Sequence, residues 1–587
     1  MMIRYDDWTF LAEGGHHVVL RFHGSDPVYK GHVLRIEKII PSVTGKCDRT
    51  NIEGHYVTNV MEPILSSSYI NHPQLVTVDS AFVTQLNRHL KLDSTRIRSE
   101  YVDVNCCTAY IFRDITTIPR LSRVGNDTEE DDLPLINEGR QLSVEIKIKC
   151  GFKSVSPFAS RRIKHSTSRY KLNQFAKLYQ YQKNKIGMKY GGKFPGISQY
   201  DPADVCSRER HRVRHSLNCL LQNPQNNLKV CYHGKHIYGL HLCQVTQLTE
   251  GCAQLFSHIS STIKSPIDTL TLVISEILCV ESALERLKYA QSLDILDVEG
   301  THRVFEVFCR HVMKMKSDEF VDETPSPQDV EKFALGIITD SMASGMYSTH
   351  PPLHEDETGG GHGTRDDPSG CLLNSLQRQL HLRGETPEAD GSTSHTLGER
   401  SIDSGARGCQ CVLHRLQRYQ VNEGTPLTEL DSIRRKCAAE IDALNTVDCL
   451  FLLKQFLVSL AASDASVAIT LSEVSVEEWN HSIARDTDGT SCSKSNTETH
   501  SNSEVLNTGT ERDNADISIS ALQTKSPGEG YIQIKCLDTG ATSYIFYKVT
   551  FLDLGPKPAG KIVDKMKKES ILCAQAEDIH EGLLGNL

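Results

Sequence analysis

EIKIKCGF, residues 145–152, puts Glu145, Lys147 and Lys149 on one side of an extended chain and Ile146, Ile148 and Cys150 on the other. Successive strand residues face opposite ways, so residues two apart share a side. Gly151 and Phe152 follow directly. An acid and two lysines on one face fit the wet side of an edge strand. They fit equally a strand that turns its charge toward an anion. The alternation alone admits both, so the rest of the chain has to separate them.

The surroundings are basic. Between Ile146 and Tyr200 the sequence holds thirteen Lys or Arg and no Asp or Glu, although the whole chain carries a net charge of -10. The run includes Lys147, Lys149, Lys153, Arg161, Arg162, Lys164, Arg169, Lys171 and Lys177, with Tyr and Phe among them. A solvated basic face would look like this, and so would a site for a polyanion. The negative total argues against a general field that recruits nucleic acid, and no nucleic-acid partner is expected.

At 587 residues, 39% apolar and 24% charged, the chain can bury a sizeable core and carry two lobes with insertions. The start, MMIRYDDWTFLAEGG, lacks the apolar stretch of a signal peptide. The best membrane candidate, Cys449 to Leu460, is short and broken by Lys454, so no membrane is expected. The 19 cysteines are scattered, which suits reduced thiols in cytosol or nucleus. A monomer is expected.

Strand patterns crowd the first part: HHVVLRF (16–22), GHVLRIEKI (31–39), TAYIFRDI (108–115) and LSVEIKIKC (142–150), with a helix around Val83 to Leu92. Helical spacing follows in LTLVISEILCVESALERLKY, then AQSLDILDV, and again from Glu429 to Leu460. Strands return in 531–553, as a hairpin about Thr539-Gly540. The fold class is therefore α/β in the broad sense, or α+β, with mostly antiparallel sheets. Segments 350–410 and 485–528 are polar, poor in aromatics and read as disordered insertions. The expected division is an N-lobe over 1–144 and a C-lobe over 145–349, 411–484 and 529–587.

Several constellations carry chemistry. Glu13-Gly14-Gly15-His16-His17 precedes a strand; it is either a plain hairpin turn or a loop whose N–H groups approach phosphate. Arg35 lies inside an apolar strand, where it is either exposed or placed to hold nucleotide phosphates. PQNNLKV (224–230) offers two amides in a plausible turn. Asp464 and Asp553 are lone acids in apolar runs. Asp464 is a helix N-cap or a general base, and Asp553 ends a strand as a metal-holding carboxylate would. Cys409, Cys411 and His414 have zinc-ligand types but no clear second pair, so structural zinc is a lesser expectation.

In this order the segments resemble the inositol-pentakisphosphate 2-kinases. EGGHHVVL, VLRIEK, EIKIKCGF (close to a family EIKPKCGF), SRYKLNQFAKL, SQYDPADVCS, PQNNLKV, SLDILDVEG, ASDASVAI and FLDLGPKP all look like family blocks. The resemblance implies a two-lobed inositol-phosphate kinase fold, distantly protein-kinase-like, with ATP, Mg²⁺ and an inositol pentakisphosphate as ligands. It implies Asp464 as the base for the 2-hydroxyl and Asp553 as the magnesium ligand. Lys147, Lys149, Asn173, Lys177, Asn226, Lys557 and Lys561 would meet substrate phosphates. Glu13, Gly14, Gly15, His17, Arg35, Asp114, Glu145, Asn227 and Lys229 would line the nucleotide. Departures stand at Asn173 and Thr116 (family His), Lys565 (Tyr), Lys229 (Arg), Ala12 (Gly) and Pro556, which could displace Lys557. The rival reading is a non-catalytic inositol-phosphate or RNA-binding protein that keeps the fold.

Overall fold

The computed structural model describes residues 3–14, 17–38, 50–92, 102–104, 108–118, 140–183, 196–240, 242, 244–259, 262–317, 326–343, 412–474, 517–523 and 527–584. Two antiparallel sheets organise them. The smaller has five strands: β1 (Trp8–Glu13), β2 (His17–Phe22), β3 (His32–Glu37), β4 (Gln74–Thr77) and β5 (Thr108–Arg113), in the order β1-β2-β3-β5-β4. Alternation in β2 and β3 sends Val18, Leu20, Leu34 and Ile36 into a core shared with Phe82, Val83 and Leu86 of helix Ser80–Leu92.

The larger sheet has seven strands: β6 (Gln141–Lys147), β7 (Leu228–Tyr232), β8 (Lys235–Gly239), β9 (Ser466–Val474), β10 (Ile517–Gln523), β11 (Glu529–Cys536) and β12 (Thr542–Leu552). Their order is β10-β11-β12-β9-β6-β7-β8. The strand of the opening motif, β6, therefore lies inside the sheet with β9 and β7 as neighbours, and the edge-strand reading falls. Its apolar side, Ile146 with Ile148 beyond the strand end, is fully buried. Leu217, Leu220 and Leu270 from helices Arg210–Gln222 and Pro266–Val280 share that core.

Three expectations change. LTLVISEILCVESALERLKY forms two helices, Pro266–Val280 and Ala283–Gln291, parted at Glu281, whose buried carboxylate accepts from Tyr69 and Tyr547 hydroxyls, both at 2.7 Å. Residues 517–523, read as part of an insertion, form edge strand β10, with Ile517, Ile519 and Ala521 packed toward the core. The apolar run before Asp464 belongs to a longer helix, Thr446–Asp464, which has the length and composition to cross a membrane. It is mostly buried against helices Ala283–Gln291 and Asp297–Ser317, as a core helix is.

Candidate active site

Asp464 is the last residue of its helix, not an N-cap; Asn445 caps the other end. A carboxylate there faces the negative end of the helix dipole, so the helix itself does not stabilise it. Lysines do. Lys557 Nζ lies 2.7 Å from Oδ2 and Lys149 Nζ 3.9 Å from Oδ1. Burial would raise this carboxyl, but Lys557, Lys149 and Lys565 overcome it and hold it below the ordinary aspartate value. Its side chain is still 54% exposed, so it is ionised and reachable. Pro556 does not displace Lys557 from this contact.

Beyond β6 the chain turns at Lys149, whose φ is +59°, a conformation that non-glycine residues seldom adopt. Gly151 lets the chain after the turn pass close to Cys206: a Cβ there would stand 2.6 Å from Cys206 Sγ. Burial pulls the Lys149 ammonium below its ordinary value, with Lys147 and Lys557 adding to the effect and Asp464 and Asp553 opposing it. Asp553, exposed just past β12, has the same left-handed φ of +59°. Asp553 is within electrostatic reach of Lys149, and two such residues near each other are backbone strain of the kind that gathers at functional sites.

The other expected residues divide into those held near this centre and those held apart. Lys147 ends β6, and its N–H donates to Asn227 O at 2.9 Å. The Asn227 amide is buried and donates to the Tyr170 hydroxyl at 3.1 Å, while Asn226 is exposed. Gln225 Oε1 accepts from Lys177 Nζ at 3.1 Å. Asn173, exposed one turn earlier on helix Arg169–Gln182, donates to its own helix at Arg169 O. Lys561 opens helix Lys561–Leu584, 3.7 Å from Asp564.

On the small sheet, Gly14 N donates to His17 O at 2.9 Å, the hairpin reading of the glycine turn; Gly15 lies outside the described residues. Glu13 accepts from Lys38 Nζ at 2.8 Å. Arg35 donates to Glu53 Oε1 at 2.9 Å and stands 3.0 Å from His17 Nδ1. Glu145 and Lys229 face each other across β6 and β7. Asp114 is buried: Oδ2 accepts from Arg21 Nε at 2.7 Å and Oδ1 from the Thr116 hydroxyl and N–H. Its own N–H donates to Gly31 O. Cys409 and Cys411, expected zinc ligands, fall outside the described residues; His414 is on helix Val412–Gln417.

An inositol-pentakisphosphate 2-kinase family model matches residues 10–570. The chain belongs to the inositol-pentakisphosphate 2-kinase family. It is similar to inositol-pentakisphosphate 2-kinases of Arabidopsis thaliana, 26% identical over 330 residues (50% of this chain, 68% of the relative). A relative of the same description in Oryza sativa subsp. indica is 24% identical over 349 residues (53% and 71%). One in Danio rerio is 26% identical over 244 residues (40% and 44%). The protein is thus a kinase of the phosphotransferase class.

Within this kinase much of the basic run is neutralised from afar. Lys164 Nζ is buried among Asp297, Glu299 and Glu569 at 2.6, 2.6 and 2.7 Å. Those three carboxylates could form a metal cluster, but the lysine already supplies their cation. Arg169 grips Glu569 with two nitrogens at 3.1 and 2.7 Å. Lys171 pairs with Asp201, Lys153 with Glu423 and Arg161 with Glu577. Nothing in the sequence singles out Glu53 or Arg21, because no local pattern marks which distant acid or cation a chain will meet. Lys565 is within electrostatic reach of Asp464, which puts a further cation where the family pattern has Tyr.

Proposed function

We propose that this kinase moves the γ-phosphoryl group of ATP to the 2-hydroxyl of inositol 1,3,4,5,6-pentakisphosphate, giving inositol hexakisphosphate and ADP. The observation that carries the reading is Asp464, ionised at a helix end between Lys557 and Lys149. An acid surrounded by cations serves no simple polyanion trap, since losing it would strengthen binding. It suits a base: Asp464 takes the hydroxyl proton while Lys149, Lys557, Lys147 and Lys177 hold the ring phosphates in place.

Asp553 fits magnesium, which needs one or two carboxylates beside the phosphates themselves. When bound, that ion would neutralise charge on the transferring group. Arg35, held by Glu53 and beside His17, would meet the phosphates of a nucleotide bound at the Gly14 hairpin. Eleven unbridged cysteines among the described residues support residence in cytosol or nucleus.

Purified protein incubated with ATP, Mg²⁺ and the pentakisphosphate is expected to give the hexakisphosphate on anion-exchange chromatography. Asp464→Asn is expected to lower kcat by about 10²–10⁴-fold. No product from folded wild type that still binds the pentakisphosphate would sink the reading and leave a binding protein.

A further inference from the structure

Gln291, the last residue of helix Ala283–Gln291, is completely buried. Its side chain joins the two segments that frame the site. Nε2 donates to the Lys149 carbonyl and, at 3.2 Å, to the Ala462 carbonyl. Oε1 accepts from Gly151 N at 3.0 Å. The backbone carbonyl of Gln291 accepts from Ser459 Oγ at 2.6 Å. Ser459 and Ala462 lie in the final turns before Asp464, and Lys149 and Gly151 form the turn after β6. A primary amide has the two donors and one acceptor this junction uses; a carboxylate lacks the donors and a hydrocarbon lacks all three.

We propose that Gln291 is a positioning residue: its amide locks the Lys149 turn to the end of the Asp464 helix and so sets the separation of the Lys149 ammonium and the Asp464 carboxylate. The proposal rests on the reading of Asp464 as the base. The strained φ of Lys149 needs surroundings that hold it, and Gln291 supplies the bond on the Lys149 carbonyl itself. Three cations face Asp464: Lys557, Lys149 and Lys565. Of these, Lys149 is the one whose backbone Gln291 holds. Freeing it removes cationic support from Asp464 while Lys557 and Lys565 stay, so the carboxyl moves up toward its ordinary value.

The test is Gln291→Met in the full chain, followed by melting and by kcat as a function of pH. Expected are a fall in kcat of about ten- to a hundredfold, KM for ATP within about twofold, and an acid limb shifted to higher pH. A purely structural amide would lower the melting temperature and the active fraction but leave the limb where it is. An unshifted limb in folded Gln291→Met overturns the proposal. Should that variant fail to fold, Ser459→Ala keeps the amide and loosens its anchor. A smaller shift in the same direction is then expected, and an unshifted limb with wild-type kcat overturns the proposal. If wild type binds the pentakisphosphate without phosphorylating it, the proposed activity falls by itself. Calorimetric titration with pentakisphosphate then decides, with about tenfold weaker binding by the folded variant expected through the displaced Lys149 and unchanged affinity overturning the role.

Discussion

Lys149 costs the free protein stability in order to be useful to it. Its ammonium is pulled below the ordinary lysine value, first by burial. The unfolded chain therefore binds its proton more tightly than the folded one does. Stability rises with pH between the depressed and the ordinary value, and below that window the penalty is fully present. Lys149→Met is accordingly expected to raise the melting temperature at neutral pH while weakening pentakisphosphate binding, a trade seen where function holds a strained charge. The same shift has a sign in binding. Polyphosphate beside Lys149 restores its pKa, so binding at alkaline pH takes up a proton. Calorimetry in buffers of different ionisation enthalpy measures this. Uptake in wild type that disappears in Lys149→Met is expected; equal uptake in both would refute the assignment.

Strands and helices explain what the sequence could and could not tell. Alternation identified the charged and apolar faces of β6 as far as Lys147, because that pattern is local, but the strand stops there and the turn at Lys149 carries no such signal. Whether the strand was edge or interior was not legible, since it depends on β9, more than three hundred residues away. The Ile517/Ile519/Ala521 alternation of β10 was there to be read, but polar neighbours masked it. Asp464 and Asp553 stood out by their apolar settings and Lys565 as a departure from the family pattern, whereas Glu53 and Gln291 did not, since their meaning lies in partners from other elements. The basic run shows the same limit: its lysines and arginines looked uniform, yet their fates differ. Lys164 lies where burial would depress its ammonium, but Asp297, Glu569 and Glu299 push it up instead. Its bond to Glu569 joins side chains each 2% exposed, whereas Lys153 meets Glu423 in water. Removing one partner of a buried pair costs about 3–5 kcal/mol, and an exposed pair about 0–1 kcal/mol. Urea denaturation should therefore place Glu569→Gln several kcal/mol below wild type and Glu423→Gln beside it. Equal losses would mean that the buried network contributes no more than a surface contact.

At the scale of the whole molecule, side-chain contacts tie the small sheet to the large body. The small sheet has a modest core of its own, but the segment from Tyr56 to Ile70, which follows β3 in sequence, packs into the large core. Glu53, one turn before Tyr56 on a helix that also touches β4, stands against the loop after β12, where a Cβ on Gly555 would lie 3.2 Å from its Oε1, and Arg35 comes from the small sheet. Their bond bridges the two, with Asp553 within electrostatic reach of Glu53. Arg21 makes a second tie: from β2 it reaches Asp114, Thr116 and the Gly234 carbonyl of the β7–β8 turn. Gly234 belongs there because a Cβ would stand 2.7 Å from the guanidinium. A sheet with a small core opens more readily than the body it leans on, so these ties set its protection. A charged, partly buried hydrogen bond contributes about 1.5 kcal/mol, roughly a tenfold change in opening. Glu53→Gln is therefore expected to speed amide exchange in β2 and β3 about tenfold while β6 and β9 keep their rates. Phosphates of added ATP, competing for the freed Arg35, are expected to restore protection in part. Exchange that rises equally in both sheets would mean that the pair stabilises the molecule globally and does not fasten one sheet to the other.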